Sequence, residues 1–416
     1  MQEKTEVFMK AMLQSVRILG ITTDGWQSNP GDSYVSVTVH WIDEEYKLRK
    51  CVLGTIPISE RHTSENIHNM LEGKDGVLAK WELLEKPRIY VTDNASNVKK
   101  ACSELSGKEW LGCFAHTLNL CVNAGFSVET ISKVISVAKS VVNFIHSSSV
   151  ARDHLKSFCE KLGETKLQVV TDCPTRWNST LHMVERLCLI QNAVLLTLTE
   201  CSRDDIVPST NHWKLMGEMV EVLKLFETAT ELVSGEKYPT ICYIKPLMLK
   251  ITTHLTKSKY NESECITQMK SEMLKNFKTR YTDERILNML NIAAMLDPVN
   301  KNFLHNYSNV DLLTKKTISL VQTQATYDTN ANTQPEVIHC TEGQQYELLS
   351  KFNDVPGLTE ATTSSAPKSA SKLTSTHLSK TLYDDQDMLN PSVEYENLEQ
   401  DIEYEVRSYF KYKVKD

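Results

Sequence analysis

The chain contains 416 residues, of which 41% are hydrophobic, so it can form two or three packed units. Its net charge of −7 and isoelectric point of about 6.0 exclude a chain that binds DNA through a strongly basic surface of its own. Three explanations remain: the affinity for DNA lies in a domain outside this chain, it is confined to a small part of the surface, or it has been lost. We expect the first of these. The longest apolar stretches are too short to span a membrane, and the N-terminus lacks a secretory profile. Eleven scattered cysteines indicate reduced thiols in the cytosol or nucleus.

Alternating and β-branched residues near the N-terminus predict three strands with short connections, which is typical of an antiparallel meander. The predicted strands are Val16 to Thr23, Tyr34 to Trp41 and Lys47 to Pro57. Ser64 can cap a helix over about residues 65–84, although Gly73 and Gly76 weaken its middle, and Pro87 ends the segment.

A strand at Arg88 to Thr92, a helix from Asn94 and a strand at Trp110 to Phe114 complete the first region, residues 1–125. The order is three strands, helix, strand, helix, strand. This order predicts an α/β fold and resembles that of ribonuclease-H-like proteins, which implies a mixed sheet in which the first and fourth strands lie side by side.

Residues 126–305 are predicted to form a helical region, because apolar residues recur there at helical spacing. The three clearest stripes are Val134, Val137, Ala138, Val141, Val142 and Ile145; Trp213, Met216, Val220, Leu223 and Phe226; and Ile286, Leu290, Ala293 and Ala294. Residues 306–394 are rich in Thr, Ser, Gln and Asn, which predicts a disordered linker. Helical periodicity returns in residues 395–416.

Two aspartates follow predicted strands: Asp24 in Thr-Thr-Asp-Gly-Trp and Asp93 in Val-Thr-Asp-Asn-Ala-Ser-Asn. On neighbouring strands their carboxylates form the start of a Mg²⁺ or Mn²⁺ site, because hard divalent cations prefer oxygen ligands. Enzymes that cut and join phosphodiesters with paired metal ions use such carboxylates. The alternative interpretation is a turn aspartate before Gly25 and a helix N-cap at Asp93.

Two further motifs carry candidate site residues. Cys113-Phe-Ala-His116 has half the spacing of a zinc site, but the partner pair is missing nearby, so we expect no zinc. We expect His116 instead to open a helix near the acidic pair. In Cys173-Pro-Thr-Arg176-Trp177-Asn, the indole can stack on a base and the guanidinium can pair with phosphate. The alternative is a buried anchor at Trp177 and a surface ion-pair donor at Arg176; the polar neighbours favour partial exposure of Trp177.

These motifs, with Thr-Ala-Thr at 228–230 and Leu-Asp-Pro at 296–298, resemble the hAT superfamily of DNA transposases and its group with BED-type zinc fingers. The resemblance runs from about Val16 to Asn302 and implies a ribonuclease-H-like core with a large all-α insertion. It implies that Asp24 and Asp93 are two of three metal-binding acids. It also implies that His116 positions a phosphate or an attacking water, and that Arg176 and Trp177 contact DNA.

Two parts of the family pattern are not found in this sequence: the BED finger and the C-terminal dimerisation motif whose glutamate supplies the third acid. Residues 395–416 resemble the entry to that dimerisation segment, and Glu185 is a poor internal substitute for the missing acid. We therefore expect a transposase-derived nuclear protein that binds Mg²⁺ or Mn²⁺ weakly and does not cleave DNA as this chain.

The expected partners are DNA, through regions other than this chain, and a second copy in the full-length relative; no membrane contact is expected. Two alternatives remain open. One is a fragment of an active cut-and-paste transposase that uses two metal ions for strand cleavage and transfer. The other is a protein-interaction scaffold whose helical region binds partners.

Overall fold

The computed structural model describes residues 2–297 apart from 29–30, 44, 46, 164–166, 174 and 237. All the described residues belong to one compact unit of the chain. The predicted linker at 306–394 and the predicted segment at 395–416 lie outside the described residues, as does the end of the predicted helical region, residues 298–305.

The strands of the first region are β1 Leu19–Gln27, β2 Ser33–Ile42, β3 Leu48–Ile58, β4 Arg88–Thr92 and β5 Glu109–Gly112. They form a five-stranded sheet in the order β3-β2-β1-β4-β5. β1, β2 and β3 make the predicted antiparallel meander, whereas β4 pairs parallel to β1 and β5 pairs parallel to β4. The predicted mixed sheet is confirmed, and so is the position of the fourth strand beside the first.

The helices of the first region are α1 Gln2–Ser15, α2 Ser64–Glu72, α3 Val77–Lys80 and α4 Ser96–Lys100, which a π-helical turn at Ala101–Leu105 continues. The sequence reasoning did not find α1, although its Met9 and Leu13 are buried in the core beneath the sheet. The helix predicted from Asn94 begins at Ser96 instead, because Asn94 and Ala95 still belong to the turn that follows β4.

The predicted helix over residues 65–84 is two shorter helices. α2 ends at Gly73, where the backbone becomes extended; a Cβ added at Gly73 would lie 2.4 Å from the Asn69 carbonyl oxygen. The predicted cap was one residue too late. Thr63, not Ser64, caps α2, because its hydroxyl accepts the backbone N–H of Asn66 at 3.2 Å.

A buried charged network holds the start of β4. Arg88 is 4% exposed, forms an ion pair with Glu72 at 2.8 Å, and donates to three backbone carbonyl oxygens within residues 83–86. The hydroxyls of Tyr90 and Ser106 also donate to Glu72. Burial alone would raise the pKa of Glu72, but these hydrogen bonds and the Arg88 charge together lower it. The charges at this end of the sheet are therefore paired and kept from solvent.

Helices dominate the rest of the described chain. They are α5 Phe114–Phe126, α6 Glu129–Ser147, α7 Ser149–Leu162, α8 Trp177–Leu189, α9 Gln191–Glu200, α10 Thr210–Val233, α11 Ile241–Thr256, α12 Glu264–Lys278 and α13 Glu284–Leu296. Most members of the three predicted stripes are buried: Val134, Ala138, Val141, Val142, Ile145, Trp213, Met216, Leu223, Phe226, Leu290 and Ala294. Within residues 2–297, no single helix is long and apolar enough to cross a membrane, although two sharply bent helix pairs pass the same length and composition test.

Candidate functional site

The parallel pairing of β1 with β4 aligns the two candidate metal-binding aspartates. The register runs from Leu19 opposite Arg88 to Thr22 opposite Val91. Continued by two residues, it sets Asp24 opposite Asp93, on strands that lie about 4.8 Å apart. Both carboxylates act on the same neighbour, since each contributes to a raised pKa of the Cys113 thiol after the larger effect of burial. Asp24 and Asp93 therefore lie at one end of the sheet, close to the start of α5.

Asp24 was expected to follow the end of a strand, but it lies inside β1. β1 continues to Gln27, because its backbone pairs with β2 as far as the Gln27 and Ser33 pair. Asp24 is exposed, whereas Asp93 is half-buried and follows the last residue of β4. The Asp93 carboxylate accepts the backbone N–H of Ala95 at 3.2 Å, which closes a turn.

Hydrogen bonds fix the backbone at the ends of β4 and β5. The N–H of Cys113 donates to the carbonyl oxygen of Thr92 at 2.7 Å, and the Trp110 indole donates to the Thr92 hydroxyl at 2.9 Å. That hydroxyl donates in turn to the carbonyl oxygen of Asp93 at 2.8 Å. The position of Asp93 is therefore set by the strand beside it as well as by its own strand.

The side chain of Asn94 connects the Asp93 turn to α5. Its amide donates to the Thr117 hydroxyl at 3.1 Å, and that hydroxyl donates to the Cys113 carbonyl oxygen at 3.1 Å. Gly112 makes room for this contact, because a Cβ at that position would lie 2.2 Å from the Asn94 Oδ1 atom. The sequence analysis missed Asn94, Gly112 and Thr117; the Asp-Asn pair was the signal that a polar turn follows β4.

Cys113 and His116 begin α5 beside the carboxylates. Cys113 is the N-cap residue, so the strand predicted to reach Phe114 ends at Gly112 and the helix starts at Phe114. His116 is half-buried in the first turn of α5. Among the described residues, no three His, Cys, Asp or Glu side chains are grouped closely enough to hold a metal ion. His116 therefore does not join Asp24 and Asp93 as a third ligand in this arrangement.

Trp177 is 4% exposed, so the expected partial exposure was wrong. It is the first residue of α8, and its ring packs edge-to-face on Phe226 of α10 with 6.5 Å between centroids. The polar neighbours misled the sequence reasoning, because the start of a helix turns successive residues towards different faces. Trp177 is an interior anchor, and a buried indole is not available to stack on a base.

Arg176 remains exposed just before α8. Its backbone forms an isolated bridge with Cys173, and the Ser179 hydroxyl donates to the carbonyl oxygens of Cys173 and Arg176 at 2.9 and 2.6 Å. Glu185, the poor substitute acid, is paired with Lys224 of α10 at 2.7 Å. The loop before α8 is thus held by local contacts, and Glu185 is engaged in the helical region.

An aromatic pair that the sequence analysis did not assign lies near Asp24. Trp26 is 43% exposed and stacks on Tyr34 with 5.8 Å between centroids and 21° between ring planes. Trp26 lies opposite Tyr34 in the ladder of β1 and β2. The signal in the sequence was that Trp26 follows Asp24 by two residues, since residues two apart on a strand point to the same side of the sheet.

The antiparallel meander of β1 to β3, the parallel β1–β4 pair and the aspartates in β1 and just after β4 are those of a ribonuclease-H-like domain, which is followed by helices. Residues 22–111 match the family model of the ZBED1 RNase-like domain, and residues 111–222 match that of the ZBED1 RNase-like helical domain. Residues 22–222 thus carry the two ZBED1-type domains, and the similar proteins support a BED-type, transposase-derived protein of the hAT family.

Similar proteins carry names from both branches of that family. A protein of Zea mays named as an AC transposase is 28% identical over 73% of this chain and 39% of its own length. Zinc finger BED domain-containing protein 4 of Homo sapiens is 25% identical over 68% of this chain and 24% of its own length. Zinc finger BED domain-containing protein 6 of Homo sapiens is 27% identical over 71% of this chain and 32% of its own length. The chain thus matches well under half of the length of each of these relatives.

Proposed function

We propose that this chain belongs to a transposase-derived nuclear protein that contacts DNA and binds one divalent cation weakly through Asp24 and Asp93, without cleaving DNA by itself. The observation that carries the proposal is the β1–β4 register: continued by two residues it brings Asp24 opposite Asp93, and both aspartates act on the Cys113 thiol. The likeness to transposases and BED-finger proteins supports contact with DNA and a nuclear location.

The chemistry of the two side chains fits Mg²⁺ or Mn²⁺ in part. Both ions accept carboxylate oxygens, and Mg²⁺ keeps several water ligands when a protein supplies only one or two carboxylates. Phosphodiester cleavage by two ions needs a second ion that stabilises the leaving oxygen. The described residues bring together no third acid for that ion, which supports weak binding of a single cation and no cleavage.

The low charge supports a limited role in DNA contact for these residues. A net charge of −7 provides no broad basic surface, and duplex binding that depends on a few phosphate contacts is weak and sensitive to salt. Sequence-selective contact is therefore assigned to other parts of the protein, as is the pairing of two copies. The zinc-finger names of the relatives agree with this division of roles.

A second candidate function is part of an active cut-and-paste transposase. It is favoured by the retained Asp24 and Asp93 pair, by His116 in the first turn of α5, and by the likeness to a protein named as a transposase. In that case a further acid joins the pair from a part of the protein outside the described residues. Asp24 and Asp93 would then hold two ions instead of one.

A cleavage and binding assay tests the two candidates. Residues 1–416 are incubated with supercoiled DNA and Mn²⁺, and duplex binding is measured by fluorescence anisotropy at increasing salt. We expect no nicking, and weak binding without sequence preference that falls steeply between about 50 and 200 mM salt. Nicking that is lost in Asp24→Asn supports the second candidate. A salt-resistant, sequence-selective complex contradicts the assignment of DNA reading to other parts of the protein.

A further inference from the structure

A polar cleft of about 220 Å³ lies between α10 and the loop that joins α11 to α12. Val222 and Ile266 supply buried apolar surface to it, and Tyr260, which is 96% exposed, lies at its rim. Most of the other lining residues are charged. Glu218 and Glu221 lie on α10, and the loop and α12 contribute Lys257, Lys259, Glu262 and Lys270. Such a lining suits a ligand that has both an apolar part and a charged part.

The basic side of the cleft is largely neutralised by nearby carboxylates. Lys270 is 5% exposed, forms an ion pair with Glu262 at 2.8 Å and donates to the carbonyl oxygen of Lys257. Lys259 forms an ion pair with Glu221 at 2.7 Å, which ties the loop to α10. The side chain of Lys257 is exposed to water, where its charge is screened. A cation in the cleft therefore meets little uncompensated positive charge.

His254 adds no positive charge to the cleft at neutral pH. Its Nε2–H group donates to the carbonyl oxygen of Val222 on α10 at 3.0 Å. Burial lowers the pKa of His254, and the charges of Lys270 and Lys259 lower it further, against the hydrogen bond to Val222, which raises it. The ring is therefore a neutral donor that holds α11 against α10.

Glu218 carries the acceptor that the cleft leaves unused. Its side chain is 19% exposed, and its Oε2 atom is buried with no hydrogen-bond partner among the described residues. The other oxygen, Oε1, lies 3.6 Å from the Lys214 ammonium, one turn earlier on α10. Buried polar atoms in proteins are nearly always hydrogen-bonded, and a carboxylate can only accept. A ligand that fits Glu218 must therefore supply donors, and a positive charge on them strengthens the bond.

We propose that this cleft receives an arginine side chain of a protein partner, whose guanidinium binds the Glu218 carboxylate. A guanidinium presents several donors in a planar fork that matches a carboxylate, which an ammonium does not. The apolar stem of arginine packs on surfaces such as those of Val222 and Ile266, and its head stacks on aromatic rings such as that of Tyr260. Arginine is also enriched at the centres of protein interfaces.

The inference goes beyond the proposed contact with DNA and does not depend on it. Glu218 lies on α10 in the helical region, whereas the proposed cation site belongs to the strands that carry Asp24 and Asp93. A purely structural role for Glu218 predicts something different. In that case the carboxylate serves only its ion pair with Lys214, and the chain shows no preference between arginine and a neutral side chain of the same shape.

The test measures binding of a capped glycine-arginine-glycine peptide to the full chain by isothermal titration calorimetry at low salt. The matched ligand is the same peptide with citrulline, which has nearly the shape of arginine but no charge. We expect the wild type to prefer arginine. Glu218→Gln should weaken binding of the arginine peptide by about 10–150-fold, because a charge-assisted hydrogen bond is lost. Glu264→Gln, which changes an exposed carboxylate in the first turn of α12, should leave it unchanged.

Each outcome decides for or against the site. Equal binding of both peptides, or binding of neither, overturns the proposal, and so does a folded Glu218→Gln protein with the wild-type preference. Binding of agmatine without binding of the peptide overturns the protein partner in favour of a small free amine. A copy of the arginine peptide that carries a benzophenone avoids any folding defect of the variants when it is photo-crosslinked to the wild type. Crosslinks at residues 254–266 or on α10 support the site, and crosslinks found only elsewhere overturn it.

Discussion

The exposed end of the sheet and the packed interior use similar residues for different purposes. Trp26 and Trp177 each stand in a polar motif, yet Trp26 is 43% exposed and Trp177 is 4% exposed. Likewise Glu72 is held by Arg88, Tyr90 and Ser106, whereas Asp24 points towards solvent. The paired groups of the interior stabilise the fold, and the solvent-exposed groups at the end of the sheet are those that can bind a ligand.

The largest expected loss of stability comes from the interior tryptophan. Trp177→Ala removes an aromatic ring packed on Phe226, and the cavity left behind should cost about 3–5 kcal/mol of unfolding free energy, measured by urea denaturation. Trp177→Phe should cost less, because it keeps an aromatic ring. Tyr260→Ala should leave the unfolding midpoint unchanged, because that side chain is 96% exposed. Wild-type stability in Trp177→Ala would show that the ring is not a packing anchor.

Loss of the buried acid should rank next. Glu72→Ala leaves the Arg88 guanidinium in the interior without its counter-charge, which should cost about 3 kcal/mol in urea denaturation. Glu65→Ala is the matched control on the same helix, since Glu65 is exposed, pairs with Lys100 at 3.5 Å and accepts the Ser64 hydroxyl at 3.3 Å. Its effect should be much smaller. Equal effects of the two changes would contradict the contrast between buried and exposed charge pairs.

A substitution with a smaller expected loss of stability tests whether the packed start of α5 supports the exposed end of the sheet. Gly112→Ala pushes a Cβ against the Asn94 side chain and breaks its hydrogen bond to Thr117, at a cost of about 1–3 kcal/mol. Because Asn94 follows Asp93, we also expect weaker Mn²⁺ binding in calorimetry. Gly54→Ala in β3 is the control, because a Cβ there meets no atom within 4 Å. Unchanged Mn²⁺ affinity in Gly112→Ala would show that the turn does not position Asp93.

The smallest effect concerns pH. The folded pKa of Glu72 lies below its ordinary value of 4.5, so its stabilising effect is complete above that value and is lost as pH falls through the folded pKa. The stability difference between wild type and Glu72→Gln should therefore shrink as the pH falls below about 4.5, when urea denaturation is repeated at each pH. A difference that stays constant down to acid pH would show that Glu72 is not held as a carboxylate.

Much of the fold could be predicted because its signals are local. Alternation gave the strands of the meander, and apolar spacing gave the helices that bury Val141, Leu223 and Leu290. The neighbouring position of β1 and β4 was expected from the resemblance of the element order to that of ribonuclease-H-like proteins. Two features of the fold were not predicted. The helix α1 has a weak apolar pattern, and the end of α2 at Gly73 depends on a backbone contact with Asn69. Such contacts are set by the folded chain and are not visible as a pattern.

The candidate site was harder to predict because it depends on where side chains point. The aspartates followed from their motifs, but their common neighbour Cys113 and the support from Asn94 and Thr117 required the folded arrangement. The burial of Trp177 against Phe226 joins residues far apart in the sequence. The exposed indole of Trp26 was overlooked because the strand was expected to end before it.

Binding of Mn²⁺ to the full chain, followed by isothermal titration calorimetry, tests the central claim most directly. The account predicts one weak site that is lost in Asp24→Asn and in Asp93→Asn. Asp75→Asn, which changes an exposed carboxylate in the loop between α2 and α3, should retain it. Two tight, saturable sites lost together in Asp24→Asn would contradict the account and support a complete catalytic centre. Binding that survives both aspartate changes would show that the two carboxylates do not form a cation site.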